Sequence, residues 1–589
     1  MKEYINVNRG NSNVLLLAVF TLIIYLISVK FNVELDAKVV PFGDPFTYSI
    51  GFFNILDNVS TKGYFRNIYT QIFHHPNWYW LLNLLVSIFS PILSKNSFSI
   101  SFCNFFMFFI ASFSLYRVAI EYGAKENYSV LAGLLPWVFP INYGFQTYAS
   151  IPMTGLDASF TAALYIALSY SLIFCLKPSI RRFAVIGGVT AGVAILGRGN
   201  SLPVVAMVLF LPLTSTIYEA IIYKNKTVIK NLIILLSIAL AISLWFYFRT
   251  YEALLGYYSN HATFFSRHEW NLHDAKKWLL NLPGFLFWQK ENSYASIIIS
   301  FLTHLFHIYA VFSALRNIKY EKLKMLILTG SFIYFCTYFI NVFLFTDPVF
   351  TLTNCILQYQ PMLIGTCFTL LGLIIPLLKS ANLGNYNFII YASFVSLIIF
   401  AYFFTKIQTP FYYSETRPPP KAVELFSLNL DEFTNNGSLS ILWYGSYNPQ
   451  ILSYYRKKND LPEANIYRGK FHNNMWSQSD YSMENKKRVI QEIADQFNSA
   501  SVIIIPENLD LYGAMPYAFS HFREEIAKFL ISKNAPKFNV ISIIKENPTA
   551  NLLVLQKSNI SNGKGFPFDA KTYVEKRKIP FPSPITYTQ

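Results

Sequence analysis

Several short stretches of this chain place ionisable or polar side chains at the ends of long apolar runs, where they could do chemistry at a membrane surface. Val40-Pro41-Phe42-Gly43-Asp44-Pro45-Phe46-Thr47-Tyr48 holds one carboxylate in a Gly/Pro-bounded turn after the first apolar run. A carboxylate kept partly dry at a bilayer surface can act as a general base or a metal ligand, and Tyr48 adds a phenol to the same stretch. On this segment alone an ordinary turn aspartate is the alternative. His74-His75-Pro76-Asn77-Trp78-Tyr79-Trp80 feeds a polar doublet into an apolar helix. Adjacent histidines point in different directions on regular structure, so a shared metal is disfavoured; interfacial packing and hydrogen bonding is the alternative. Asp157, in Pro152-Met153-Thr154-Gly155-Leu156-Asp157, opens another apolar run. An acid there caps the helix or lines a polar cavity. Arg198, in Gly197-Arg198-Gly199-Asn200, lies between two apolar runs, and a lipid phosphate is its natural partner. Arg267-His268-Glu269-Trp270, with His273-Asp274 and Lys276-Lys277-Trp278, mixes cations and indoles suited to headgroups or sugar rings, or to an amphipathic helix lying on the membrane.

The elements that must hold these residues are membrane helices. Of 589 residues 53% are hydrophobic, 18% aromatic and only 14% charged, which excludes a purely soluble protein. A bilayer core of about 30 Å needs about 20 apolar residues per crossing, and the chain offers roughly eleven such stretches before residue 405. The net charge of +16, from 48 basic and 32 acidic residues, does not mark a nucleic-acid binder. The cations cluster in short loops (Lys177/Arg181/Arg182, Lys224/Lys226/Lys230, Arg316/Lys319/Lys322/Lys324), as the positive-inside rule expects of cytoplasmic connections. Those clusters share one face only if Trp78 to Leu93 is an interfacial helix rather than a span. The predicted spans are then Val14 to Val29 followed by 98–117, 127–146, 157–176, 183–198, 201–222, 231–248, 295–315, 325–345, 350–376 and 386–404. Outer loops cover 31–97 and 249–294, and Asp57 reads as a solvated loop residue. The five cysteines all fall in or beside apolar runs, so no disulfide framework is expected.

Near residue 405 the text changes. Thr416-Arg417-Pro418-Pro419-Pro420 reads as a stiff linker within 405–435. Beyond it, 436–589 alternates helix and strand patterns: strands at Ser438 to Tyr444 and Ala500 to Pro506, helices at Asn485 to Phe497 and Ser520 to Leu530, and a hairpin from Phe538 to Lys557 turning at Asn547-Pro548. The expected architecture is an α-helical polytopic membrane protein of about eleven transmembrane helices, residues 1–404, carrying a small C-terminal α/β soluble domain. That domain shows no phosphate loop, HExxH or nucleophile elbow, so binding or bracing is expected of it.

In order and spacing, these pieces over roughly residues 10–375 resemble the GT-C membrane glycosyltransferases, in particular the branch with the bacterial lipid A aminoarabinose transferase and the protein O-mannosyltransferases. Gly43-Asp44 with Tyr48 resembles the acidic motif of the first outer loop, and His75-Pro76-Asn77-Trp78-Tyr79-Trp80-Leu81 the Pro-rich approach to an interfacial helix. Leu156-Asp157 matches the second acidic position. Gly187 to Gly199 is similar to the glycine-rich helix ending in a basic residue, and Gln358-Tyr359-Gln360-Pro361 to the late Tyr-x-Pro element. Pro45, His75 and Gln358 depart from the residues usual at their positions. The resemblance implies a GT-C-like fold in a bacterial cytoplasmic membrane, with the active site and C-terminal domain on the outer side. It implies transfer of a sugar from a polyprenyl-phosphate donor to a lipid, glycan or protein acceptor. No nucleotide cofactor is expected, and a divalent metal is left open. Asp44 and Asp157 would be catalytic; Tyr48, His74, His75, Arg198, Arg267, His268 and Tyr359 would bind substrate. A transporter or flippase of lipid-linked saccharides, or a polysaccharide polymerase or ligase, is the alternative.

Overall fold

The structure, a computed structural model, describes residues 12–27, 44–73, 80–95, 97–138, 156–197, 201–266, 294–316, 323–344, 356–380, 390–399, 420–434, 437–441, 447, 449–463, 465–466, 491, 494–508, 526–547, 550–561 and 565–576. The chain divides into two compact units, Met1–Val33 with Asn54–Tyr412, and Glu34–Phe53 with Tyr413–Gln589.

The first unit is helical. Its elements are α1 (Ser12–Ile27), α2 (Asp44–Lys62, counted with this unit from Asn54), α3 (Tyr64–Phe73), α4 (Trp80–Phe89), α5 (Ser97–Glu121), α6 (Glu126–Leu134), α7 (Leu156–Leu176) and α8 (Arg181–Ile195). They continue with α9 (Ser201–Ile222), α10 (Lys226–Ser266), α11 (Tyr294–Arg316), α12 (Lys324–Leu344), α13 (Ile356–Ser380) and α14 (Ile390–Ile399). Among the described residues, six helices are long and apolar enough to cross a membrane: the greater part of α5, α7, α9, α10, α11 and α13. Stretches from α1, α4, α12 and α14 are apolar but shorter. Phe210, Leu240, Phe248, Phe301, Phe312 and Leu315 are all exposed, a pattern that lipid tails satisfy and water does not. The chain is an integral membrane protein.

Three expectations change. Asp44 stands at the start of α2 rather than in a turn: proline is tolerated in a first helical turn, where its missing N–H has no partner anyway, so Gly-Asp-Pro here signals a helix start. Loop 31–97 therefore holds α2, α3 and α4, and Asp57, within α2, pairs with Lys95 at 2.7 Å. The segment expected to leave helix at 249 stays helical to Ser266. Hydropathy marks where a membrane ends, and residues 250–266 contain no proline to stop the helix.

Contacts between helices fix their directions. Tyr122 follows α5 and donates to the Leu172 carbonyl at 3.1 Å, while Ser159 bonds Asn104, so α5 and α7 run parallel. α8 returns against α7: a methyl on Gly197 would come within 2.7 Å of Phe160, whereas Gly187 faces the Tyr170 carbonyl. α8 and α10 are parallel, with Gly188 against Leu235 and Gly192 against Ile242, closer than any side chain allows. Three residues, with Lys224 at φ 47°, turn α9 back into α10. α9 runs antiparallel to α12, matching Met207 with Thr337 and Phe210 with Phe332. α12 is antiparallel to α13, where Gly330 and Gly365 abut backbone to backbone and Ile327 meets Gly372. α11 is antiparallel to α12, through His307 with Ser331 and His304 with Tyr334.

Consequently α5, α7, α9, α11 and α13 all begin at one pole of the unit. The opposite pole gathers Arg117, Lys177, Arg181, Lys226, Arg316, Lys324 and Lys379 at helix ends. There Glu121 bonds Arg117 at 2.8 Å and also Lys177.

The second unit contains α15 (Pro420–Leu428), α16 (Leu430–Thr434), α17 (Pro449–Lys458) and α18 (Ala570–Lys576) around a five-stranded sheet. Residues 420–434, read above as linker, are thus two helices; Val423 and Phe426 provide an apolar face that buries. The strands β1 (Leu439–Ile441), β2 (Val502–Pro506), β3 (Phe538–Asn547), β4 (Ala550–Lys557) and β5 (Phe566–Pro567) lie in the order β1-β2-β4-β3-β5. β1 and β2 are parallel; the other pairs are antiparallel, with Ile504 opposite Val554 and Ile543 opposite Leu553. Ile503, Ile505, Leu553 and Leu555 point to one core with Phe497, Leu530 and Tyr573. Arg456 of α17 is buried and donates to the carbonyls of Pro462 (2.8 Å) and Ser427 (3.2 Å) and to Asp431 (2.8 Å).

Candidate functional site

Of the residues expected to do chemistry, two stand on helices that begin at the pole where α5, α7, α9, α11 and α13 begin. Asp157 is in the first turn of α7 and Tyr359 in the first turn of α13, though their side chains are outside the described residues. Arg198 lies outside them too, but its flanks are close together: the Gly197 N–H bonds the Ala194 carbonyl at 3.1 Å, and Ser201, opening α9, donates to the Ile195 carbonyl. Five helix N-termini at one pole present unpaired N–H groups and the positive ends of their dipoles, an environment that favours an anion such as a phosphate ester.

Arg267 and His268 follow α10, and His74 and His75 follow α3; all four are outside the described residues. Asp44 and Tyr48 are on the part of α2 assigned to the second unit, and their side chains are likewise not described. Five residues after the histidine doublet in sequence, Trp80 opens α4 and meets Trp245 of α10 edge to face at 5.7 Å. Because α10 starts at the basic pole, Trp245 places this contact toward the opposite one. α3 is tied to α4 by Asn67 donating to Ser87 at 3.1 Å and by the Tyr64 hydroxyl donating to the Ile88 carbonyl at 2.9 Å.

A polar cluster inside the membrane helices was not anticipated. His307 of α11 is fully buried, with Nδ1 3.2 Å from Ser331 of α12 and Nε2 3.2 Å from Thr366 of α13. The Thr366 hydroxyl gives its single proton to the Met362 carbonyl at 2.9 Å. It must therefore accept from His307, which fixes the Nε2–H tautomer and leaves Nδ1 to accept from Ser331 or from Thr369 at 3.4 Å. One turn earlier His304 Nδ1 is 3.0 Å from the Tyr334 hydroxyl. The signal was present in His304-Leu305-Phe306-His307, two histidines at i, i+3 in an otherwise apolar helix, with hydroxyl residues in the two later spans. Among the described residues, no three His, Cys, Asp or Glu side chains come together to hold a metal.

A bundle with this helix order, followed by a small α/β unit, is a GT-C-like fold, the fold of polytopic membrane glycosyltransferases. In particular, the chain is similar to ArnT from Cupriavidus metallidurans. It matches the apo structure at 12% identity over 93% of this chain and 98% of that one, with a TM-score of 0.51. The structure bound to undecaprenyl phosphate matches at 11% identity over 94% and 99%, with a TM-score of 0.52. A looser likeness, TM-score 0.45 at 12% identity over 95% of this chain and 77% of the other, connects it to the archaeal oligosaccharyltransferase AglB from Archaeoglobus fulgidus, in complex with an inhibitory peptide and a dolichol-phosphate. No family model and no curated protein matches the sequence.

Proposed function

We propose that this protein is a membrane glycosyltransferase that moves a hexose or pentose from a polyprenyl-phosphate-linked donor to a lipid, glycan or protein acceptor. The observation that carries the reading is the polarity of the bundle. Asp157, the flanks of Arg198 and Tyr359 gather at the pole where helices begin, and the basic residues gather at the other. By the positive-inside rule the basic pole faces the cytoplasm, so the reacting pole faces outward, in keeping with a bacterial cytoplasmic membrane. An ArnT-like fold, known with undecaprenyl phosphate bound in that protein, supports a lipid phosphate as the donor's anchor.

In the reaction an acceptor oxygen attacks the anomeric carbon, the bond from that carbon to the phosphate oxygen breaks, and the lipid phosphate departs with the electron pair. Asp44 takes the acceptor's proton, raising its nucleophilicity. Arg198, helped by Arg267 or His268, balances charge growing on the leaving phosphate. Asp157, Tyr48, Tyr359, His74 and His75 orient sugar and acceptor hydroxyls.

Native mass spectrometry of the detergent-purified full chain is the first test. A retained polyprenyl-phosphate sugar, lost in Arg198→Ala, supports the reading; only bulk phospholipid, under conditions that keep known lipid complexes intact, argues against it. Binding alone does not separate a transferase from a flippase. Turnover of the identified donor does: Asp44→Asn should fall about 10²-fold or more, and full activity in that variant removes Asp44 from the mechanism.

A further inference from the structure

Gln360 is the fifth residue of α13, between Tyr359 and Pro361, and the residue is 3% exposed. Its carbonyl oxygen Oε1 is buried and has no hydrogen-bond partner among the described residues. Buried polar atoms in folded proteins are nearly always paired, so each exception calls for a reason. Ser169 and Ser171 of α7 also carry buried unpaired hydroxyls, but a hydroxyl can rotate toward a weak acceptor, whereas a carboxamide oxygen can only wait for a donor. Pro361, lacking an N–H, withdraws the intrahelical donor from the Leu357 carbonyl, so the same turn presents a second acceptor. Trp80, 8% exposed as a residue, carries in Nε1 a buried donor that is unpaired among the described residues and lies toward the same pole.

An oxygen acceptor repels phosphate and calls for an O–H or N–H. Gln360 is about 6 Å along the axis from the start of α13, where free N–H groups and the helix dipole suit the carrier phosphate. The donor-rich group covalently attached to that phosphate is its sugar. We propose that Gln360 is a carbohydrate-binding residue whose side-chain carbonyl accepts a hydrogen bond from a hydroxyl of the donor sugar. This rests on the glycosyltransferase reading above and adds to it a residue that reads the sugar rather than the lipid.

The test uses the full chain in nanodiscs, titrated with undecaprenyl phosphate and with its glucosyl, mannosyl and arabinosyl conjugates. Wild type should bind at least one conjugate more tightly than the bare carrier. Gln360→Met, similar in length and apolar, should lose about tenfold on that conjugate, keep the bare carrier within about twofold, and melt no lower than wild type without ligand, since it removes an unpaired group. A lower melting temperature in the ligand-free variant, or equal weakening of bare and glycosylated lipid, overturns the assignment because the carbonyl then serves the protein's own packing. An undiminished preference for the conjugate also overturns it. Gln360→Asn, which withdraws the same oxygen while staying polar, should behave alike; failure of both variants to fold overturns the proposal. If wild type binds no polyprenyl phosphate of any kind, the glycosyltransferase reading itself falls. If it binds all four lipids equally, only the Gln360 assignment falls.

Discussion

Replacing His307 by phenylalanine tests whether hydrogen bonds or shape hold α11 to the bundle. The lipid-facing side of α11 is broad, and its inner stripe is Ser300, Thr303, His307, Ala310 and Ala314, small or polar residues that allow close approach rather than deep interlocking. Phenylalanine keeps a ring of similar size, so the stack on Tyr334, with centroids 3.8 Å apart, survives. Two hydrogen bonds are lost. Polar contacts between membrane helices average about 0.6 kcal/mol each and reach about 1.7. The hydroxyls left behind are not orphaned: Thr366 keeps its bond to Met362, and Ser331 and Thr369, 3.3 Å apart, can bond each other. The loss should therefore lie near the lower figure, about 1 kcal/mol for His307→Phe. His307→Ala also removes the ring and leaves a cavity, so it should lose about 3 kcal/mol. Unfolding in mixed SDS and dodecyl maltoside micelles, followed by far-UV circular dichroism, measures both. A His307→Phe protein within about 0.3 kcal/mol of wild type would show that these bonds add nothing, and an alanine variant no weaker than the phenylalanine one would refute the packing half of the argument.

A methyl on Gly330 would lie 2.5 Å from the Gly365 carbonyl oxygen, whereas one on Gly51 of α2 meets nothing within 4 Å. Gly330→Ala should thus cost about 2 kcal/mol or more and reduce the monodisperse peak in size-exclusion chromatography, while Gly51→Ala should gain about 0.5–1 kcal/mol. In the second unit, Arg456→Met strips the donor from two backbone carbonyls and should cost about 2 kcal/mol, whereas Asp431→Asn, on a half-exposed carboxylate, should cost less than about 1 kcal/mol; hydrogen exchange in β1 and α17 reads the difference. Burial pushes the Tyr573 phenol above its ordinary value of 10.0, and its hydroxyl donates to the Pro506 carbonyl at 2.7 Å. A raised folded-state pKa means that its contribution is complete below pH 10 and is lost as the pH climbs above it. Thermal melts of the full chain should fall from pH 9.5 to about 11 in wild type and fall less in Tyr573→Phe, which starts lower for want of the hydrogen bond. The hydroxyl and amide of Thr572 hold the Asp569 carboxyl below its usual range, so that stabilisation is present above about pH 4 and lost on acidification through the lowered folded-state value; Asp569→Asn should blunt the acid loss.

How legible each feature was depended on whether its cause is local. α7 and α9 fall within a residue of the predicted spans because apolar length is a local property, and β2 and the β3–β4 hairpin were legible from β-branched runs around Asn547-Pro548. The start of α2 was misread because Gly-Asp-Pro serves both turns and helix starts, and only the following residues decide. The end of α10 was misread because hydropathy falls at Thr250 while helix propensity does not. The His307 cluster depends on three helices meeting, with partners up to 62 residues apart for His307 and Thr369. No window along the sequence contains that information.

The 41 residues of α10 make a rod roughly 60 Å long, about twice the thickness of the hydrocarbon core. The stretch suited to the membrane ends at Glu252, so the last 14 residues to Ser266 carry the rod about 20 Å farther. A helix gripped by a bilayer tilts when the bilayer thins or thickens. A tilt of about 10° swings the far end of such a lever by about 4 Å relative to where it leaves the lipid, more than the reach of a hydrogen bond. The residues that begin at Arg267 are attached to that tip. Membrane thickness is thereby coupled mechanically to the position of the helix end at Ser266, and spin-label distances from Ser266 to the basic pole should differ between bilayers of different acyl-chain length.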